Sequence, residues 1–250
     1  LEVKNNRLKS IPLQIGQLSL LEELNLQGNL LRSIPTSIGS LMALRELKLS
    51  ANELLRLPSS ISKMLNLELL EVYDNQLISI PYQITKLSKL RSLQLADNQI
   101  EKLPIQLSGL DNLEKLDLSN NRLHTIPRSI QQLNALKELK IANNLIDTLS
   151  NIVWRISNLS SLDLNANRLR SIEVDTISNE SIKYLNLSKN NLNEFPNNIS
   201  LVNIEVLILS DNPLETVPNA IAQMKNLRYL DLRNTGISSI PSFIMDLPNL

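Results

Sequence analysis

Leucine returns on a fixed beat along this chain, and that beat limits what it can fold into. The pattern Leu-x-x-Leu-x-Leu-x-x-Asn-x-Leu begins at Leu21, Leu44, Leu67, Leu90, Leu113, Leu136, Leu159, Ile182, Ile204 and Leu227, and Leu250 opens another copy. Every step is 23 residues except the 22 between Ile182 and Ile204. A unit this short cannot bury its own apolar face, so it must stack on copies of itself.

Within each copy the Leu-x-Leu core, such as Leu24-Asn25-Leu26 or Leu116-Asp117-Leu118, has the two-residue period of a strand. Two apolar side chains point inward and the one between them faces solvent. Stacked strands pair in parallel about 4.8 Å apart, so about eleven of them would span roughly 50 Å. Composition agrees with this economy: 54 Leu and 31 Asn stand against 2 Phe and 1 Trp.

The ninth place holds Asn6, Asn29, Asn52, Asn75, Asn98, Asn121, Asn144, Asn167, Asn190 and Asn212. An amide donates and accepts at once, so a column of asparagines can satisfy the backbone groups freed where the chain bends after each strand. Thr235 takes the place in the last copy. The return leg reads Ile-Pro-x-x-Ile-x-x-Leu, as in Ile34-Pro35-Thr36-Ser37-Ile38-Gly39-Ser40-Leu41. Proline fixes φ and has no N–H, which suits an extended or turning segment outside any ladder.

This register resembles the leucine-rich repeat family over the whole chain, and its 23-residue form with Pro and Ile is similar to the Ras-group and bacterial types. The resemblance implies an α/β repeat: a right-handed solenoid, a horseshoe arc with a parallel concave sheet of about 11 strands and a convex side of short 3-10 or extended segments. It also implies one domain over residues 1–250 that binds protein partners on the concave face. The chain enters midway through a copy and stops at the first Leu of another, so caps or further domains are expected outside it. The competing expectation is the regulatory array of a larger enzyme, a GTPase or kinase, or of a pathogen effector.

Two adjacent copies depart from the pattern. Ser150 and Glu173 replace Pro, and extra apolar residues appear at Ile152, Trp154, Val174 and Ile177. Either a local helical turn packs Trp154 and Ile177 onto the neighbouring coil, or these four side chains form a second, convex interface.

Function in such a stack belongs to the outward strand positions, which vary without disturbing the core. In the last complete copies Tyr184, Val206, Ile208 and Tyr229 become neighbours, with Asp231 and Arg233 beside them, and an earlier group is Leu69, Glu71 and Tyr73. Exposed aromatic and aliphatic side chains supply contact area with little rotamer loss, so these groups are the expected partner-binding residues. The alternative is that they sit under a cap or only against one another. The outward columns hold eleven acids and six bases, which points to a partner with a basic surface; a flanking column that is slightly positive offers the plainer account of charges kept for solubility.

Other functions find little support. The formal charge is zero and the pI near 6.8, which gives no overall attraction to nucleic acid or to an anionic membrane. With no Cys and a single His, His124, no thiolate or multi-histidine metal site is expected, and neither is a cofactor. No nucleophile and base are spaced as a catalytic set, so no catalytic residue is assigned. The start Leu1-Glu2-Val3-Lys4 lacks the features of a signal peptide, which leans toward an intracellular setting and leaves the compartment and oligomeric state open.

Overall fold

The computed structural model describes residues 1–174 and 179–250. The chain forms two compact units, Leu1–Arg122 with Gln132–Leu136, and Leu123–Gln131 with Lys137–Leu250.

In the first unit five strands run parallel in chain order: β1 (Glu23–Asn25), β2 (Glu46–Lys48), β3 (Leu69–Glu71), β4 (Ser92–Gln94) and β5 (Lys115–Asp117). The pairing sets Leu24, Leu47, Leu70, Leu93 and Leu116 side by side, and all five are buried. Each such leucine contributes about 2 kcal/mol by leaving water. Where an eleventh strand was expected, Glu2 makes only a single parallel bridge to Asn25. In the second unit the large sheet runs β6 (Glu138–Lys140), β8 (Ser161–Asp163), β10 (Tyr184–Asn186), β11 (Val206–Ile208) and β12 (Tyr229–Asp231), again parallel. A separate two-stranded ladder joins β7 (Thr148–Leu149) to β9 (Ser171–Ile172).

The return legs carry the expected 3-10 turns. In the first unit these are η1 (Leu13–Gln17), η2 (Thr36–Ser40), η3 (Ser59–Lys63) and η4 (Tyr82–Lys86), each entered from a proline. Those prolines lie at φ from −70° to −66°, the angle their ring imposes. Turn η5 covers Arg128–Gln132, and η6 (Asn151–Arg155), η7 (Asn219–Gln223) and η8 (Ser242–Asp246) follow.

The asparagine column bonds as its chemistry requires. Asn98 Oδ1 accepts the Leu77 N–H at 2.9 Å, and its Nδ2 donates to the carbonyls of Val72, Leu95 and Ala96 at 3.0–3.1 Å. Asn29, Asn52, Asn75, Asn121, Asn144, Asn167, Asn190 and Asn212 accept a backbone N–H one coil back in the same way. Asn6 is exposed and bonds only within its own coil, to the carbonyls of Val3 and Lys4. Thr235 is buried and donates to the Leu232 carbonyl at 2.7 Å. Its side chain is shorter than an amide, and the Leu214 N–H turns to the Asn212 carbonyl instead.

Ahead of each ladder asparagine the backbone is left-handed, with φ between 51° and 58° at Asn5, Ala51, Asp74, Asp97, Asn120, Asn143, Ala166, Lys189, Asp211 and Asn234, and 67° at Gly28. Asn and Asp tolerate this region through local hydrogen bonding, which explains most of that column.

Trp154 and Ile152 are buried in η6, so these two side chains are not offered on the convex side as a docking patch. The indole Nε1 donates to the Glu173 carbonyl at 2.8 Å, tying one coil to the next. Val174 is half-buried, and Ile177 lies outside the described residues. The loss of proline here has a backbone consequence: Glu173 has an N–H, and it donates to the Leu149 carbonyl at 2.8 Å beside the β7–β9 ladder.

Candidate functional site

Strand pairing gathers the residues singled out near the end of the chain. Tyr184, Val206 and Tyr229 are register partners across β10, β11 and β12, and Ile208 lies between Asn186 and Asp231 in the next row. Tyr184, Val206 and Ile208 are half-buried, while Tyr229 is 50% exposed. The four form an apolar surface on the outward side of the second unit's sheet because the two-residue period sends Leu185, Leu207 and Leu230 the other way. Burial, then the field of Asp163, pushes the Tyr184 phenol above its ordinary pKa.

Asp231 and Arg233, expected beside this patch, are paired with each other. Asp231 is buried, and its carboxylate accepts two hydrogen bonds from the Arg233 guanidinium, at 2.9 and 2.7 Å. That fork, helped by the Arg233 N–H and by Ser210 against the opposing effect of burial, lowers the Asp231 carboxyl from 3.8 to about 2. Asp231 is thus held by its own coil and by Ser210 of the coil before, while the guanidinium stays largely in solvent.

The same i, i+2 pairing recurs on other strands. Lys48 meets Glu46 at 2.7 Å, Lys140 meets Glu138 at 2.7 Å, and Lys4 meets Glu2 at 3.5 Å. Residues two apart share a strand face, so each pair cancels its charge locally. The eleven outward acids and six bases divide unevenly between the units. In the first, Glu2, Glu23, Glu46, Glu71, Asp74, Asp97 and Asp117 face Lys4, Lys48 and Lys115; in the second, Glu138, Asp163, Asp211 and Asp231 face Lys140, Lys189 and Arg233.

On the first unit Leu69 and Glu71 are half-buried in β3, and Tyr73 follows two residues on. The Tyr73 hydroxyl accepts a hydrogen bond from Gln27 Nε2 at 2.8 Å, across the coil that lies between them. Ser50 occupies the matching place on that intervening coil and is fully buried. Its hydroxyl has no hydrogen-bond partner among the described residues.

Sequence reasoning missed a second, interrupted asparagine column just before several of the strand motifs. Asn66, Asn112, Asn203, Asn226 and Asn249 donate to the carbonyls of Met42, Ser88, Glu180, Val202 and Lys225, one coil back, at 2.7–2.9 Å. Their signal was present as Asn before the first Leu of the motif, but Leu20, Ala43 and Lys89 at equivalent places interrupt it. Also missed was the Tyr73–Gln27 bridge, because residues 46 apart give no local cue.

His124 is exposed. Among the described residues no group of three or more His, Cys, Asp or Glu side chains converges as a metal site, and no helix is long and apolar enough to cross a membrane.

A family model described as leucine rich repeat matches residues 1–54, 44–100, 102–151 and 157–214, and one described as leucine rich repeats (2 copies) matches 202–249. No curated protein matches the sequence. Among solved structures, a leucine-rich repeat protein of Leptospira interrogans is 31% identical with a TM-score of 0.82, over 100% of this chain and 70% of that one. The Arabidopsis receptor kinase HAESA, solved with the peptide hormone IDA and a co-receptor, is 30% identical with a TM-score of 0.72, over 100% of this chain and 48% of that one. A TDR receptor is 29% identical with a TM-score of 0.82, over 96% of this chain and 44% of that one. The chain therefore spans less than half the length of either receptor.

Proposed function

This chain belongs to the leucine-rich repeat family, and from that premise we propose that it is a non-catalytic module that binds a protein partner on the outward, concave face of its sheet. The anchor is the surface of Tyr184, Val206, Ile208 and Tyr229. The observation that carries this reading is their register: three strands in succession place an apolar or aromatic residue in the same outward row. Elsewhere on the sheet that row is mostly polar, with Glu23, Glu46, Ser92, Lys115, Glu138 and Ser161. Aromatic anchors beside aliphatic area are the composition of interface hot spots. The likeness to HAESA, whose structure holds a peptide hormone, supports a polypeptide as the class of ligand.

The test is affinity capture with the intact chain, identification of what it holds, and titration of that protein against the variant Tyr184→Ala, Ile208→Ala, Tyr229→Ala. The expected loss is about 2 kcal/mol or more of binding energy with the melting transition retained. Unchanged affinity refutes the anchor.

A further inference from the structure

The outward charge of this protein is concentrated on one unit. Seven acids face three bases on the first unit's sheet, against four and three on the second. Coils about 4.8 Å apart bring such charges within one screening length of each other, so their fields add. The effect is visible at Lys48: its hydrogen bond to Glu46, with the fields of Glu71 and Glu23, holds the ammonium above its ordinary pKa despite the opposing cost of burial.

A second feature lies in the same place. Ser50, wholly buried, presents a hydroxyl without a partner beneath the bridge from Gln27 to Tyr73. A buried polar atom left unpaired destabilises the fold unless something satisfies it. The bridge above it is one neutral hydrogen bond between two half-buried side chains, which a ligand donor can replace. Leu69 supplies apolar area further along the same outward face, beyond Glu71.

We propose that the first unit's sheet face is a separate docking site for a basic segment of a protein partner, an extended stretch in which arginine or lysine alternates with an aliphatic residue. Its cationic groups meet Glu23, Glu71, Asp74 and Asp97, successive aliphatic side chains rest on Leu69 and on Tyr73, and a guanidinium N–H donates to Ser50 once the Tyr73 ring lifts. The inference rests on the protein-binding reading above, but it concerns other residues and needs no identified partner.

The probe is a short fluorescent peptide alternating arginine with leucine, compared by anisotropy with one alternating aspartate with leucine. The arginine peptide is expected to bind, more weakly as salt rises, and the aspartate peptide not to bind. The variant Glu71→Gln, Asp74→Asn, Asp97→Asn should weaken it about tenfold, the scale of three screened charge contacts, while Asp163→Asn with Asp211→Asn on the second unit should not. Ser50→Ala should melt no lower than the parent, since it deletes an unpaired hydroxyl, yet bind the peptide about threefold more weakly. Equal binding of both peptides, full affinity in the first-unit variant, or an equal loss in the second-unit variant overturns the proposal. Full affinity in Ser50→Ala likewise overturns it. Failure of the Tyr184, Ile208 and Tyr229 variant to lose its partner would sink the earlier reading and leave these measurements unaffected.

Discussion

Single residues in this protein differ in worth according to how many coils they join. Asn98 satisfies one N–H and three carbonyls drawn from its own coil and the one before, whereas Asn6, with the same place in the pattern, serves only its own bend in water. Asn98→Ala should therefore cost about 2–4 kcal/mol, because it strands buried backbone groups, and Asn6→Ala about 0.5 kcal/mol or less. Urea unfolding of the two variants checks the contrast. Asp231 gives a pH signature. Its carboxyl sits at about 2 in the fold against an ordinary 3.8, so its stabilisation is complete above the higher value and disappears as pH falls toward the lower one. Melting temperature followed through that window should fall in the parent and fall less steeply in Asp231→Asn. The ladder asparagines could be foreseen because the ninth place is Asn from Asn6 to Asn212, ten times in succession, before Thr235. The capture of Asp231 by Arg233 could not, since the pattern of outward residues does not say whether two charges will meet each other or a partner.

At the scale of the element, the return leg is governed by whether the N–H of its first residue is put to use. Proline enters η1 to η4 at the φ its ring prefers and forgoes a bond that those coils do not use. Ser150 enters η6 at φ −69° and ψ 147°, close to those prolines. Glu173 instead spends its N–H on the Leu149 carbonyl. Hence Ser150→Pro should stabilise by about 0.4–1 kcal/mol, by restricting the unfolded chain, while Glu173→Pro should destabilise by about 2 kcal/mol or more. Differential scanning calorimetry of the pair decides it, and two shifts of the same sign would contradict this account of the missing prolines. The sequence marked both positions as departures without revealing their cause. Trp154 was equally visible as the sole indole, and its two readings, packing or interface, separate only once its burial and its bond to the Glu173 carbonyl are known.

In both units a division of labour runs through the stack: inward leucines and ladder asparagines hold the coils together, and outward residues are free to differ. Periodicity made the first half legible, since a recurrence every 23 residues fixes which side chains face in. The outward half was legible only as columns. Pairing had to be seen before Tyr184, Val206 and Tyr229 became one row, and the division into units before the negative charge could be placed on the first. Hydroxyl-radical footprinting of the intact chain with its captured partner tests this division most directly, because aromatic and aliphatic side chains report their own accessibility. Tyr184, Ile208 and Tyr229 should lose reactivity in the complex, while Tyr82 and Ile105, exposed on the return legs, should keep theirs. Protection of Tyr82 and Ile105 with Tyr184 and Tyr229 unchanged would contradict it.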